Sequence, residues 1–574
     1  MRALKLGVSQ QPEATEVVGF VEHACIFANK PPPFHPRTPR PTLGRVSFAT
    51  LQTGIDGLDG ILGGGIRYPD DAAAFACIAG GPGTGKTMLA LEMVVRAWLS
   101  GEAGTYLYYS VEHTPDSIEK KLAFDFDWFQ SGVEVRAEPR EVPNKLVLRA
   151  GPDDADAPTM VLTQANPAAL TSNSSRGATV DIEWILAEIE NHRRVAPVRM
   201  VVIDNVGLLL TDLEYFEKRA MLLETRRRLL DEKIHGVFVM EEAHPRDLRL
   251  PSAEEFSTDL MLHLAFREEA TNFMVRAIEI RKARHQYYYR GVHHFSIAGR
   301  GITRDVYLGA RNERGPGIHI YPSVAAQLSM ARDEAQFSVP PRGDAPIDLG
   351  HPDLQRAFLE GSGPTARSST ILLGEPGTRA TYLALRFLAC AVEAGERALF
   401  VSTREDRDAI RRICQREPAL SACLGEEGKF AEGFRVVYLH PEFISAGKFT
   451  WDLIRLVQGG HADGAPRPVT RMAFDNVYNL HERFPLIRDQ RFVIAAILDM
   501  LRYEGVTPLF VDMVPASASA ATSFDPSTYL VGFDNVVQLL FERDEAGARP
   551  CFRVFKSVGN DFVTEPVSIE WRRS

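Results

Sequence analysis

The two halves of the sequence repeat one another, which restricts the fold to two copies of one kind of domain. The segment ILLGEPGTRAT (371–381) repeats CIAGGPGTGKT (77–87), and RMAFDNVYNL (471–480) repeats RMVVIDNVGLL (199–209). A length of 574 residues also exceeds what a single hydrophobic core supports. The repeat therefore predicts two similar domains in tandem.

Each repeat alternates apolar runs with helical segments. In the first repeat AAAFACIAG (72–80) is apolar enough for a buried strand, and MLALEMVVRAWL (88–99) continues as a helix. Strands that alternate with helices form parallel sheets with both faces covered. We therefore predict an α/β fold with two tandem P-loop domains, each a mostly parallel sheet flanked by helices.

Composition marks the boundaries that we expect between these units. The N-terminal part ends in PPPFHPRTPRP, which is too rich in proline for a helix or a central strand. The expected units are an extension and linker at 1–45, a first domain at 46–325, a linker at 326–350 and a second domain at 351–574.

The spacing between corresponding residues changes once along the repeat. The offset is 292 from Glu112 to Arg404 but 271 from Asp204 to Asp475. The segment 151–180 of the first copy is rich in Asp, Pro, Asn and Ser, and we expect it to be an exposed loop insertion that accounts for the difference.

The segment GGPGTGKT (80–87) carries the chemistry of the first repeat. It matches G-x-x-x-x-G-K-[ST], whose glycines let backbone N–H groups turn toward phosphate oxygens at the positive end of a helix. Lys86 should reach the outer phosphates of ATP, and Thr87 should ligate Mg²⁺. We predict that ATP contacts one continuous run of residues, namely Gly81, Pro82, Gly83, Thr84, Gly85, Lys86, Thr87 and Met88.

Three further side chains are candidates for the same site. Asp204 ends an apolar strand, where a carboxylate can help to hold Mg²⁺, although an aspartate there can also cap a turn. Glu112 ends the strand after the first P-loop helix and is the candidate to activate water. His113 beside it either positions that water or is an ordinary exposed or hydrogen-bonded histidine.

Taken together, these motifs resemble the KaiC family of RecA-fold ATPases. The resemblance rests on TGIDGLDGILGGGI, GGPGTGKT, SVEHTPDSI, VVIDN and the segment 252–297, and the duplication extends it from about 47–320 to the C-terminus. KaiC-like proteins place two catalytic glutamates after the second strand, whereas this sequence has Glu112 followed by His113. The resemblance implies ATP hydrolysis, at a rate that the replacement can alter.

The resemblance also implies a ring of identical subunits. A Lys-x-Arg near the end of a KaiC-type domain reaches the nucleotide of the neighbouring subunit, and Lys282, Ala283 and Arg284 match it. A cation supplied in trans can stabilise the charge on a transferring phosphoryl group. Without the resemblance, this basic run would be a solvated surface. We expect a homo-oligomer, and a hexamer is the family expectation.

The second repeat departs from the first at its chemical positions. Its replacements are Arg379 and Ala380 in the loop, Arg404 at the position of Glu112 and Val558 at the position of Arg284. Asp475 and Lys556 are kept. We predict a degenerate domain that does not hydrolyse ATP, although an arginine in the loop leaves weak nucleotide binding open.

Charge and composition disfavour several other classes of protein. A formal charge of −10 provides no basic field for nucleic acid, although a local patch is compatible with it. No apolar stretch is long enough to span a membrane, and the N-terminus lacks a secretory h-region, so the cytoplasm is the expected compartment. The six cysteines do not have zinc-ligand spacing.

Three functions fit these observations to different degrees. The leading hypothesis is a Mg²⁺-dependent, ring-forming regulatory ATPase whose second domain is a scaffold or a platform for an unknown protein partner. The first alternative is a Ser/Thr autokinase, because the resemblance implies self-phosphorylation in the second domain near its subunit interface. The tract SASAATSFDPST (517–528) lies close to that region. The second is a DNA-dependent RecA-like motor, which the fold permits but the acidic charge disfavours.

Overall fold

The structure of the chain is a computed structural model, which covers most of both repeats. It describes residues 47–100, 102–122, 134–140, 142–151, 157–165, 182–210, 213–241, 258–270, 273–299, 304–305, 310–311, 316–336, 338, 341–359, 363–439, 445–458, 468–483, 492–514, 532–544 and 547–571. The expected extension at 1–45 and the Ser/Thr-rich tract at 517–528 lie outside these residues.

The first repeat is built on an eleven-stranded sheet. Two short antiparallel pairs accompany it: β1 (Phe48–Leu51) with β2 (Ile66–Pro69), and β13 (Arg304–Asp305) with β14 (Ala310–Arg311). The strands of the large sheet are β3 (Phe75–Gly80), β4 (Thr105–Ser110), β5 (Val135–Ala137), β6 (Lys145–Ala150), β7 (Thr159–Gln164), β8 (Val198–Asp204), β9 (His235–Glu241), β10 (Leu260–Ala270), β11 (Phe273–Ala283), β12 (Val292–Ala298) and β15 (Gly317–Tyr321).

The strand order of this sheet is β15-β12-β11-β10-β3-β9-β8-β4-β7-β6-β5. The six central strands from β10 to β7 run parallel, and the strands at both edges run antiparallel. Parallel strands place their carboxyl ends at the same edge of a sheet, so the loops that follow β3, β4, β8 and β9 come together there.

The second repeat is built on an eight-stranded sheet of the same kind. Its spatial order is β18-β17-β19-β20-β16-β21-β22-β23, with antiparallel pairing only at the β21-β22-β23 edge. The strands are β16 (Thr370–Gly374), β17 (Ala398–Ser402), β18 (Phe434–Tyr438), β19 (Arg471–Asp475), β20 (Thr507–Met513), β21 (Asn535–Asp544), β22 (Gly547–Ser557) and β23 (Val567–Ser568).

Helices cover both faces of each sheet. In the first repeat they are α1 (Leu58–Ile61), α2 (Lys86–Leu99), α3 (Pro115–Lys120), α4 (Ile182–Arg193), α5 (Val206–Leu209) and α6 (Tyr215–Asp231). The connecting helix is α7 (Val324–Glu334). The second repeat contributes α8 (Pro352–Arg356), α9 (Ala380–Glu393), α10 (Arg407–Arg416), α11 (Ala446–Val457), α12 (Val477–Arg483) and α13 (Phe492–Tyr503), with 3-10 turns at Pro418–Cys423 and Glu426–Gly428.

Alternate residues of the central strands supply two separate cores. Tyr106 and Tyr108 of β4 belong to the core that includes α2, whereas Leu107 and Tyr109 belong to the core that includes α4 and α6. Such burial on both faces is typical of parallel strands between helical layers. The predicted fold class, two tandem α/β domains with mostly parallel sheets flanked by helices, is confirmed.

The expected loop insertion at 151–180 is wrong in its position. Within that segment β7 is a largely buried strand that pairs with β4, and residues 152–156 and 166–180 are not described. Thr105 and Thr159 lie 54 positions apart, but the corresponding Ala398 and Phe434 lie only 36 apart. Most of the extra length therefore precedes β7, where β5 and β6 extend the sheet edge.

The helix α7 connects the two sheets and packs on the second one. Val324 belongs to the same hydrophobic cluster as the apolar residues of α11 and α13. Gln327 donates hydrogen bonds from Nε2 to the carbonyl oxygens of Pro322 and Gly447, at 2.6 and 3.0 Å. In the described part of the chain, no helix is long and apolar enough to cross a membrane.

A buried carboxylate fixes the P-loop helix against the edge strand β15. Glu92 is fully buried and accepts hydrogen bonds from the backbone N–H of Ile318, at 2.7 Å, and from the guanidinium of Arg96. Burial raises the pKa of Glu92, and the Arg96 charge opposes that rise. This contact holds α2, whose first turn belongs to the loop discussed below.

We predict that Glu92→Ala lowers the free energy of unfolding by about 1–3 kcal/mol, because it leaves the buried N–H of Ile318 without an acceptor. Denaturant unfolding measures the change. Glu92→Gln is the matched control, since its amide oxygen can still accept that hydrogen bond. Equal losses in the two variants would contradict the assignment.

Candidate functional site

A cavity of about 340 Å³ lies at the carboxyl ends of the parallel strands β3, β4, β8 and β9. Residues from four separate segments of the chain and two from the antiparallel edge meet there. The lining residues are Pro82, Gly83, Gly85, Lys86, Thr87, Met88, Glu112, His113, Asp204, Asn205, Glu241, Arg276 and Ile297.

The turn between β3 and α2 requires glycine where its backbone comes close to neighbouring side chains. Gly85 caps α2 with a φ of 108°, and a Cβ there would lie 3.0 Å from Cδ1 of Ile297. The carbonyl oxygen of Gly81 accepts hydrogen bonds from Lys86 Nζ and from Thr84 Oγ1, both at 2.8 Å. The first N–H groups of an α-helix lack partners within the helix, so this turn presents donors suited to an anion.

The run predicted to contact ATP is therefore mostly on the cavity surface. Six of its eight residues line the cavity. The two exceptions are Gly81, whose carbonyl oxygen anchors Lys86, and Thr84, which is buried in the loop.

Asp204 lies at the floor of the cavity, next to Thr87. It is 5 % exposed, its Oδ2 accepts a 2.7 Å hydrogen bond from Tyr108, and Thr87 also bonds to it. Burial raises the pKa of Asp204, and the hydrogen bonds from Tyr108 and Thr87 oppose that rise. A carboxylate beside a hydroxyl is a donor set that suits Mg²⁺.

Glu112 and His113 follow β4 and face the same cavity. Asn205 Nδ2 donates to Oε1 of Glu112 at 3.4 Å, which links the carboxylate to the residue after Asp204. The backbone N–H of His113 donates to Oγ of Ser110 at 2.9 Å and fixes the start of this loop. The structure thus brings the predicted carboxylates of two strands together with the phosphate loop.

Sequence reasoning missed two charged residues of the cavity. Glu241 ends β9, directly beside Gly80 in the register of β3 and β9. Arg276 lies on β11 opposite Phe266, and its guanidinium stacks on the Phe266 ring at 5.4 Å. The position of Glu241 directly after the apolar run GVFVM was a usable signal, but Arg276 reaches the cavity through strand pairing alone.

The basic run Lys282, Ala283 and Arg284 does not line the cavity of its own chain. Ala283 pairs with Leu260, and Leu260 pairs with Ala76 at the opposite end of β3 from Gly80. At about 3.3 Å per residue, Ala76 and Gly80 are roughly 13 Å apart along β3. Arg284 lies 3.6 Å from Asp259, which also accepts a hydrogen bond from Arg226.

Strand register identifies the counterpart of each cavity residue in the second repeat. Gly374 pairs with Met513 as Gly80 pairs with Glu241. The same comparison places Pro550 at the position of Arg276. Ala380 and Arg404 stand at the positions of Lys86 and Glu112. Four charged groups of the first cavity are therefore replaced, namely Lys86, Glu112, Glu241 and Arg276.

The hydroxyl and carboxylate pair is retained in the second repeat. Thr381 Oγ1 donates to Oδ2 of Asp475 at 2.6 Å, and burial raises the pKa of Asp475. Arg404 lies close to Met513, with 3.5 Å between Nη1 and Sδ.

The tandem sheets, the glycine-rich turn and the strand-end aspartate define a chain with two RecA-like P-loop domains. A model of the KaiC ATPase family matches residues 51–136, 159–305 and 350–564. The chain therefore belongs to the KaiC family, a family of nucleotide-binding ATPases, as the sequence resemblance indicated.

Individual relatives are distant. The circadian clock protein KaiC3 of Synechocystis sp. is 23 % identical over 483 residues, which cover 83 % of this chain and 81 % of the relative. KaiC2 of the same organism is 23 % identical over 370 residues, 64 % of this chain and 55 % of the relative. A UPF0273 protein of Thermotoga maritima is 36 % identical over 78 residues, 14 % of this chain and 29 % of the relative.

We predict that Tyr108→Phe lowers the rate of ATP hydrolysis about tenfold, because a hydrogen bond to a charged group contributes roughly 1.5 kcal/mol or more. The rate of ATP hydrolysis, measured at saturating ATP over a range of Mg²⁺ concentrations, shows the effect. Tyr109→Phe is the matched control, since the Tyr109 hydroxyl is buried without a hydrogen-bond partner among the described residues. Similar losses in both variants would argue against a role for the Tyr108 contact.

Proposed function

We propose that the first domain hydrolyses ATP with the help of Mg²⁺, that the chain works as a ring of identical subunits, and that the second domain is a scaffold. One observation carries the proposal. The cavity beside the phosphate loop collects Lys86, Thr87, Asp204 and Glu112, which are the groups that phosphoryl transfer to water requires.

Binding is assigned to the turn and its lysine. The N–H groups at the start of α2 and the ammonium of Lys86 would contact the phosphates, which requires Lys86 to leave its hydrogen bond with Gly81. Thr87 and Asp204 would hold the cation, Thr87 through its hydroxyl and Asp204 through its buried carboxylate. When bound, Mg²⁺ would neutralise negative charge on the terminal phosphates.

Hydrolysis is assigned to Glu112. Its carboxylate would accept a proton from a water molecule as the water oxygen attacks the terminal phosphorus and ADP leaves. Asn205 orients this carboxylate through its side-chain amide. His113 lines the same cavity and would help to position the water.

The ring is supported by the placement of the basic run. A single chain keeps Lys282 and Arg284 at the far end of β3 from its phosphate loop, whereas a neighbouring subunit could present them to that loop. A positive charge supplied in trans would stabilise the transferring phosphoryl group, as an arginine finger does. The family resemblance favours six subunits.

The second domain is proposed to start near residue 351 and to act as a scaffold or as a platform for a protein partner. It lacks counterparts of Lys86 and Glu112 but keeps a complete core. Two relatives are named circadian clock proteins. We propose a regulatory role of this general kind, in which turnover in the first domain changes what the second domain binds.

We predict that Thr87→Ala reduces steady-state ATP hydrolysis at least a hundredfold, because the hydroxyl that holds the cation is lost. Thr381→Ala is the matched control, since Thr381 makes the same contact with Asp475 in the second domain. It should leave the rate within about twofold of the unsubstituted protein. Phosphate release measures both rates, and an equal loss in Thr381→Ala would refute the assignment of hydrolysis to the first domain.

We predict that Lys86→Ala and Arg284→Ala subunits, each inactive alone, regain activity when they are coexpressed. Random mixing in a ring leaves about one quarter of the sites with both an intact Lys86 and a neighbour's intact Arg284. The expected rate is therefore about a quarter of that of the unsubstituted ring.

The control is coexpression of Lys86→Ala with a chain that carries both substitutions, since no site in that mixture contains Lys86. Absence of recovery in the first mixture, with rings present by light scattering, would contradict a shared site. Adding DNA and mapping phosphopeptides in the same samples tests the alternatives of a DNA-dependent motor and an autokinase.

A further inference from the structure

The second phosphate loop lacks the lysine of the first, and the residues around it also differ. Arg379 caps α9 with a φ of 63°, as Gly85 caps α2 with a φ of 108°. The helix α2 begins at Lys86 and α9 begins at Ala380, so Tyr382 occupies the position of Met88. Arg379 and Tyr382 are therefore larger than Gly85 and Met88, which line the first cavity at the same positions.

Strand pairing places a third large residue at the same location. Phe552 on β22 pairs with Val567, just as Ile278 on β11 pairs with His293. Pairing continues after β23, since the N–H of Ile569 donates to the carbonyl oxygen of Pro550. Counting onward, Trp571 stands where Ile297 lines the first cavity.

These three side chains contact one another. The guanidinium of Arg379 lies 4.3 Å from the ring centre of Tyr382 and 5.0 Å from that of Trp571. The Tyr382 and Trp571 rings meet edge to face with their centres 5.7 Å apart, and the His351 ring also contacts Trp571, with 5.2 Å between ring centres. Cation–π contacts contribute about 0.5–2 kcal/mol each, more when the cation is desolvated.

The charge of Arg379 is also compensated within the domain. Its Nη2 forms an ion pair with Glu417, and both side chains are only about one third exposed. A guanidinium that stacks on two aromatic rings and pairs with a carboxylate already has its charge compensated, so a phosphate would have to compete with Glu417 for it. The arginine in the loop, which the sequence left as a possible phosphate contact, is therefore committed to this cluster, which we term the Arg379 plug (Arg379, Tyr382, Glu417 and Trp571).

The phosphate side of the second loop is equally unsuited to ATP. Ala380 replaces Lys86 and brings no charge to the loop. Arg404 and Met513 replace two carboxylates, while Asp475 is kept as the counterpart of Asp204.

We propose that the Arg379 plug closes the second site, so that each chain binds a single nucleotide, and binds it at the first loop. The inference rests on the proposed function of the first site and adds the stoichiometry and its physical cause. Nucleotide would then not act on the second domain directly. Any change in it during turnover would have to come from the first domain.

Equilibrium dialysis of the full chain with radiolabelled, non-hydrolysable ATP analogue tests the stoichiometry. We expect one analogue per chain up to millimolar concentration, and Lys86→Ala should reduce binding without revealing a second class of sites. Two analogues per chain, or binding of one that survives Lys86→Ala unchanged, would overturn the inference. ATPase rates report separately on the proposed function, so the two proposals fail by different measurements.

Two variants separate the plug from the missing lysine. Ala380→Lys restores the lysine and leaves the whole plug in place, and we expect the number bound to stay at one. Adding Arg379→Gly, Tyr382→Met and Trp571→Ile removes the plug and should raise the number to two. A second nucleotide in the single variant, or only one in a four-residue variant that circular dichroism shows to be folded, would overturn the role of the plug. The stoichiometry of the unsubstituted protein decides the main point even if these variants do not fold.

Discussion

The parallel arrangement of β3, β4, β8 and β9 is the constraint on which the rest of the site depends. Because their carboxyl ends share one edge of the sheet, a glycine turn, three carboxylates at or just after strand ends and a helix N-terminus meet within one cavity. The buried Glu92 then fixes α2 against β15, so the loop is held from the strand before it and from the helix after it.

The second repeat keeps this constraint but not its chemistry. Its central strands have the same order and register, and Thr381 still bonds to Asp475. Four charged positions that face the cavity are altered, while the apolar residues of the sheet continue to form two cores. Packing can therefore preserve a fold after the groups that bind a ligand have been replaced, which is why fold alone does not establish function.

Sequence reasoning was most reliable where the signal is local. The turn at 80–87 and Asp204 after VVI combine an apolar strand with adjacent polar residues, and both lie in the cavity. Arg276 was missed because its position depends on the pairing of β10 with β11, which no nearby motif encodes. The expected insertion at 151–180 was misplaced because polar composition obscured β7, whose buried residues become evident only beside β4. Trp571 likewise meets Arg379 only after the sheet has formed.

We propose that this KaiC-family chain has one working nucleotide site and one closed copy. Photo-crosslinking of the intact protein with an azido derivative of ATP, followed by peptide mapping, distinguishes one site from two. Label is expected on peptides around the first loop or on the basic run at 282–284, and none on peptides around Arg379, Tyr382 or Trp571. Saturable label on the second loop, competed by ATP, would contradict it.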